Sequence, residues 1–103
     1  MRGVVKNNGR VAGWMERIEG EHVFTYDEDY ITDSRAFAIS LSIPKNERKH
    51  MSKKLHPFFQ GMLAEGANKT IQCQTLGIDE NDDFTRLVKT AKHTIGAISV
   101  EEK

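Results

Sequence analysis

The sequence predicts one α+β domain over residues 1–103, with a small antiparallel sheet of N-terminal strands plus a C-terminal strand packed with about three helices. Three observations carry this expectation. Tight-turn sequences at Asn7-Asn8-Gly9 and Glu19-Gly20 punctuate the alternating segments near the start. Apolar residues then switch to helical spacing after residue 55. A final β-branched run covers 94–100.

Taken in order, Val4 and Val5 lead into Asn7-Asn8-Gly9, a pattern suited to a two-residue hairpin turn with positive φ. The return strand is expected from about Arg10 to Ile18, and Glu19-Gly20 turns it into "HVFTYD" as a third strand. The polar "DEDYITDS" (27–34) predicts a short helical turn. Across "FAISLSI", Phe37, Ile39, Leu41 and Ile43 alternate with Ala38, Ser40 and Ser42, which predicts a strand closed by Pro44.

Helical signals follow. Pro57 suits a first helical turn, and Leu55, Phe58, Phe59, Met62 and Leu63 share one face at the spacing of a helix that Gly66 is expected to stop. Asn68 is expected to cap a second helix, ended by Gly77. "DENDD" (79–83) places negative charge at the front of a third, with Phe84, Leu87, Val88 and Ala91 as its apolar stripe. Thr94–Val100 is read as the last strand, kinked at Gly96.

Fifteen basic and fifteen acidic side chains give zero formal net charge, so the whole chain has no general attraction for nucleic acid or an anionic membrane. Locally, "KNERKHMSKK" (45–54) is basic, a solvated loop in the simplest reading. The first residues lack the apolar run of a signal peptide, no stretch is long and apolar enough to span a bilayer, and Cys73 has no second cysteine to pair with. The expected location is cytoplasmic.

Catalytic and metal patterns fail on specific positions. Asp79, Asn81 and Asp83 fit the start of a calcium loop, but Phe84 stands where the turn glycine belongs and Thr90 where the bidentate glutamate belongs. His22, His50, His56 and His93 have neither HExxH nor zinc spacing. Ser40 and Ser42 lack a nucleophile elbow, and Cys73 has no basic neighbour in sequence to activate it. There is no phosphate-cradling glycine loop, and "DDF" at 82–84 runs into Thr85 rather than the glycine of a kinase magnesium motif. No catalytic residue, cofactor or metal is expected, and the chain reads as a non-enzyme.

Five blocks, "FTYDEDYI" (24–31), "AISLSIP" (38–44), "LHPFFQGMLAEGANK" (55–69), "LGIDENDDF" (76–84) and "HTIGAISV" (93–100), resemble in order and spacing the N-terminal subdomain of HipA-type toxin kinases. A free-standing form of that subdomain resembles HipS, the small subunit of three-part HipBST toxin–antitoxin systems. The resemblance implies a HipA N-subdomain-like fold, a HipT-like Ser/Thr kinase as partner and a HipB-like helix-turn-helix DNA-binding protein in the same complex. It also implies an antitoxin role, with an accessory subunit that completes or docks the kinase as the alternative. Met62-Leu63-Ala64-Glu65-Gly66 departs from the family's Leu-Leu-Pro-Glu-Gly, and Ala67 is small where a bulky residue would fill a partner's pocket. Phe58, Met62 and most of the apolar stripe are expected in the core. The partner surface is expected at the helix end, from Phe59, Gln60, Leu63, Ala64, Glu65, Gly66, Ala67, Asn68 and Lys69.

Overall fold

The computed structural model describes residues 1–92 and 97–103. Its sheet contains β1 (Arg2–Asn7), β2 (Arg10–Ile18), β3 (Glu21–Tyr26), β4 (Lys49–Ser52) and β5 (Ile98–Glu102), in the order β4-β3-β2-β1-β5 with every pairing antiparallel. The β1–β2 and β2–β3 turns have positive φ at both central residues, Asn8 (50°) with Gly9 (82°) and Glu19 (50°) with Gly20 (81°). Such turns match the right-handed twist of the strands they join. Both hairpins stand where the turn residues placed them.

Four helices are assigned among the described residues: α1 (Glu28–Thr32), α2 (Pro57–Gln60), α3 (Gly66–Leu76) and α4 (Asp83–Thr90). The expected stripe Phe84, Leu87, Val88 and Ala91 is buried, and α4 packs on β1 and β5. It meets Val5, Met15, Phe24, Phe59 and Val100 in one continuous core. Fully burying each large side chain contributes about 1.5–3 kcal/mol. The Phe24 ring packs edge-on to Tyr26 at 4.8 Å and tilted against Phe59 at 5.8 Å, which ties β3 to α2.

Five elements differ from expectation. Residues 37–43 form no strand beyond an isolated Ser40–Ile43 bridge. Ile39 and Ile43 are buried, whereas Phe37 and Leu41 are 84% and 101% exposed. This segment bonds to tyrosine hydroxyls instead of a ladder: Tyr30 Oη donates to the Phe37 carbonyl (2.6 Å), Tyr26 Oη to that of Ile43, and the Ile39 N–H donates to Tyr26 Oη (3.2 Å). The edge of β3 is taken by β4, drawn from the basic segment read as a loop. As a four-residue polar edge strand it offers no periodicity to read, and charged side chains on short edges discourage pairing with other chains.

The helix expected from Pro57 to Gly66 ends at Gln60, and Gly66 (φ 61°) begins α3 rather than stopping a helix. Glu65, not Asn68, occupies the N-cap of α3, and Asn68 lies in its first turn. Gly77 (φ 68°) does end that helix. The last strand lies later than expected, at Ile98–Glu102, while the expected kink at Gly96 and the residues His93, Thr94 and Ile95 fall outside the described residues.

Candidate functional site

The loop between α2 and α3 is built from its flanks inward. Pro57 takes the first helical position, and His56 caps the turn by accepting the Phe58 N–H on Nδ1 at 3.1 Å. Burial, with a nearby His50, holds the His56 pKa below its ordinary value, which favours the neutral ring able to accept that bond. After Gln60, tight bonds from the Met62 N–H to the Phe59 carbonyl and from the Leu63 N–H to the Gln60 carbonyl (both 3.0 Å) continue the curl. Leu55, Phe59 and Leu63 therefore still face the core at four-residue intervals, with Phe58 and Met62 half-buried beside them.

This divides the nine residues expected at the partner surface. Phe59 is fully buried and Leu63 nearly so; both support the loop from beneath and lie out of a partner's reach. Gln60, Ala64 and Lys69 are half-buried, and Glu65, Gly66, Ala67 and Asn68 are exposed. The accessible surface is thus Gln60 with Ala64–Lys69. Gly66 makes the reversal between the two helices, since a left-handed backbone costs any residue with a Cβ about 1–2 kcal/mol.

Arg86 holds this loop, and the sequence reading passed over it. Its side chain is buried in α4 among Phe84, Leu87 and Val88, with the residue 3% exposed. Nη2 donates to the Ala64 carbonyl at 2.6 Å, and Nη1 to Asp83 Oδ1 at 3.0 Å. The available signal was a basic residue three positions after Asp83, one turn along the same side of the helix. Hydrogen bonds from a charged donor are worth about 1.5–3 kcal/mol, enough to fix a surface loop.

Asp82 secures the other end of α4. Its Oδ1 accepts the Thr85 N–H (3.1 Å) and Arg17 Nη1 (2.9 Å), and its Oδ2 accepts the Thr85 hydroxyl (2.7 Å). Burial alone would raise its pKa, but these bonds outweigh it and hold the carboxyl below its ordinary value. Asp79 Oδ1 accepts the Asn81 N–H at 2.8 Å, so the acidic run forms a turn and a helix cap. No cluster of three His, Cys, Asp or Glu side chains suited to a metal occurs among the described residues.

Two open cavities border this loop. One, of about 520 Å³, is lined by Pro57, Leu63–Gly66, Lys69 and Arg86; the other, of about 400 Å³, by Arg17, His22, Lys53, Lys54 and Asn81. Gln60 and Asp83 line both. The arrangement suits recognition of another chain, with an exposed turn held on a rigid scaffold beside two concave surfaces.

Comparison with known proteins places this architecture. A family model described as the HipA N-terminal domain matches residues 4–101. A solved structure described as "N-terminal domain of HipA toxin" is similar with a TM-score of 0.71 and 26% identity, covering 99% of this chain and 93% of that one. The "Putative kinase Y4mE" of Sinorhizobium fredii (strain NBRC 101917 / NGR234) is 28% identical over 94 residues, 90% of this chain but 22% of the relative. An "Uncharacterized protein" of Haemophilus influenzae (strain ATCC 51907 / DSM 11121 / KW20 / Rd) is 30% identical over 80 residues, 78% of this chain and 72% of the relative. The chain thus spans about a fifth of one relative and nearly three quarters of the other. With the match running almost end to end, the chain belongs to the HipA N-terminal domain family.

Proposed function

We propose that this chain is a non-catalytic antitoxin that acts in the cytoplasm, binding and restraining a HipT-like Ser/Thr kinase toxin. A HipB-like helix-turn-helix DNA-binding protein completes the complex. Membership of the HipA N-terminal domain family carries the reading. The Haemophilus relative, matched over most of its length, supports a small-protein form of the domain. The exposed turn Glu65–Asn68, fixed from below by Arg86, supplies the recognition surface. A standard interface takes roughly 800 Å² from each partner. That is roughly an eighth of this chain's 6471 Å² surface, more than one loop offers, so the flanking cavities share in the contact.

A second reading draws on the match to a fifth of a kinase-named chain. In it the domain completes the kinase fold, or docks the kinase to its DNA-binding partner, without inhibiting it. Titrating the proposed HipT-like kinase with this chain separates the two, because an antitoxin lowers its phosphorylation rate and an accessory subunit preserves or raises it. Binding is tested with Glu65→Arg and Asn68→Trp, both exposed positions. At least tenfold weaker binding with an unchanged unfolding midpoint is expected; full affinity in both variants removes the loop from the account.

A further inference from the structure

The two cavities beside the loop meet across Gln60 and Asp83 and form one groove, from the start of α3 past α2 to the segment after β4. Its charges are unevenly matched. Arg86 is paired with Asp83 (3.0 Å), and Arg17 with Asp82 (2.9 Å). Lys53, Lys54 and Lys69 have no carboxylate partner among the described residues, and they share the groove with one further carboxylate, Glu65. The Lys54 segment is held in place, since its carbonyl accepts the Ser52 hydroxyl and the Lys53 carbonyl lies 3.0 Å from His22 Nδ1.

The α3 end adds uncommitted donors. Glu65 makes no side-chain capping bond, so the first-turn N–H groups at Gly66, Ala67 and Asn68 lack an intrahelical acceptor. The positive end of the helix dipole lies here as well. Beneath it, Arg86 is buried at the cavity wall with its Nε unpaired.

We infer that this groove receives an extended acidic segment of a partner polypeptide. One carboxylate sits against Lys69 and the first-turn N–H groups of α3, and further acidic side chains face Lys53 and Lys54. Charge complementarity selects this occupant, because three unmatched ammonium groups attract carboxylates and the free N–H groups direct one of them. A polypeptide fits better than nucleic acid: Glu65, Asp82 and Asp83 interrupt the positive surface and would oppose a continuous polyphosphate, and the chain's formal net charge is zero. This rests on the proposed partner-binding role and specifies its chemistry.

The test is an NMR titration of the ¹⁵N-labelled 103-residue chain with acetylated, amidated hexaglutamate. Hexaglutamine serves as the neutral control and a short DNA duplex as the competing polyanion. Saturable shifts are expected at Gln60, Gly66–Lys69 and Lys53–Leu55 with hexaglutamate only. The triple variant Lys53→Glu, Lys54→Glu and Lys69→Glu, checked as folded by its own spectrum, should weaken them at least tenfold. Absent shifts, equal shifts with hexaglutamine, or shifts that survive the triple reversal overturn the assignment. Saturable duplex binding at these residues without a hexaglutamate response overturns it too, and reassigns the groove to nucleic acid. The probe contains no kinase, so failure here leaves the kinase-binding role standing, and failure to bind the kinase leaves the groove result intact.

Discussion

Arg86 Nη2 on α4 donates to the carbonyl of Ala64, 22 residues earlier in the chain and 2.6 Å away. One buried guanidinium thereby ties the exposed turn to the helix that packs on the sheet. Arg86→Met keeps most of the apolar stem but leaves the Ala64 carbonyl and Asp83 without their donor. A loss of about 2 kcal/mol is expected in urea unfolding. Partner affinity should fall by more than this stability loss explains, and Arg86→Lys should recover part of both.

Gly66→Ala separates loop shape from packing. A Cβ there would meet nothing within 4 Å, so the cost comes from the backbone at φ 61° and not from a clash. About 1–2 kcal/mol of destabilisation is expected by chemical denaturation. Amide shifts should change at residues 64–69 and leave the sheet unaffected.

Asp82→Asn tests the cap of α4. The folded carboxyl lies below its ordinary pKa, so its ionised form adds stability above the unfolded-state value of about 3.9. That contribution is lost as pH falls through the depressed folded value. Asparagine still caps but loses the charge facing Arg17 across a part-exposed pair, so the variant should be less stable by about 0.5 kcal/mol at pH 7. The gap should narrow as the pH of the unfolding measurement is lowered and the native carboxyl protonates.

Two isoleucine and leucine truncations probe the segment after α1. Ile43→Ala removes a fully buried side chain and should cost about 2–5 kcal/mol. Leu41→Ala removes one that is wholly exposed and should stay within about 0.5 kcal/mol. Equal, large losses at both would contradict the observed packing of residues 37–43.

What was legible in the sequence depended on whether local chemistry alone decided the structure. The hairpin turns at Asn8-Gly9 and Glu19-Gly20 require positive φ, and the stripe of α4 has an unambiguous helical period, so both could be read directly. The alternation across Phe37–Ile43 misled because burying Ile39 and Ile43 requires no ladder when the Tyr26 and Tyr30 hydroxyls bind the backbone. β4 was hidden because an edge strand made of Lys49, His50, Met51 and Ser52 is defined by its neighbour β3 rather than by its own composition. At the site, the tip Glu65–Asn68 could be anticipated from loop exposure, whereas Phe59 and Leu63 were drawn into the core by turns that keep the helical spacing after α2 ends. The spacing of Arg86 from Asp83 was legible, but its hold on the loop was not, because its partner carbonyl at Ala64 is remote in sequence.

The most direct test of the central claim is growth of cells expressing the proposed HipT-like kinase partner, with and without this chain. Co-expression should restore growth, and Asn68→Trp should abolish the rescue while the variant remains folded. Persistent arrest with the wild-type chain, while the two proteins still co-purify, would contradict the antitoxin role and leave the domain as an accessory subunit.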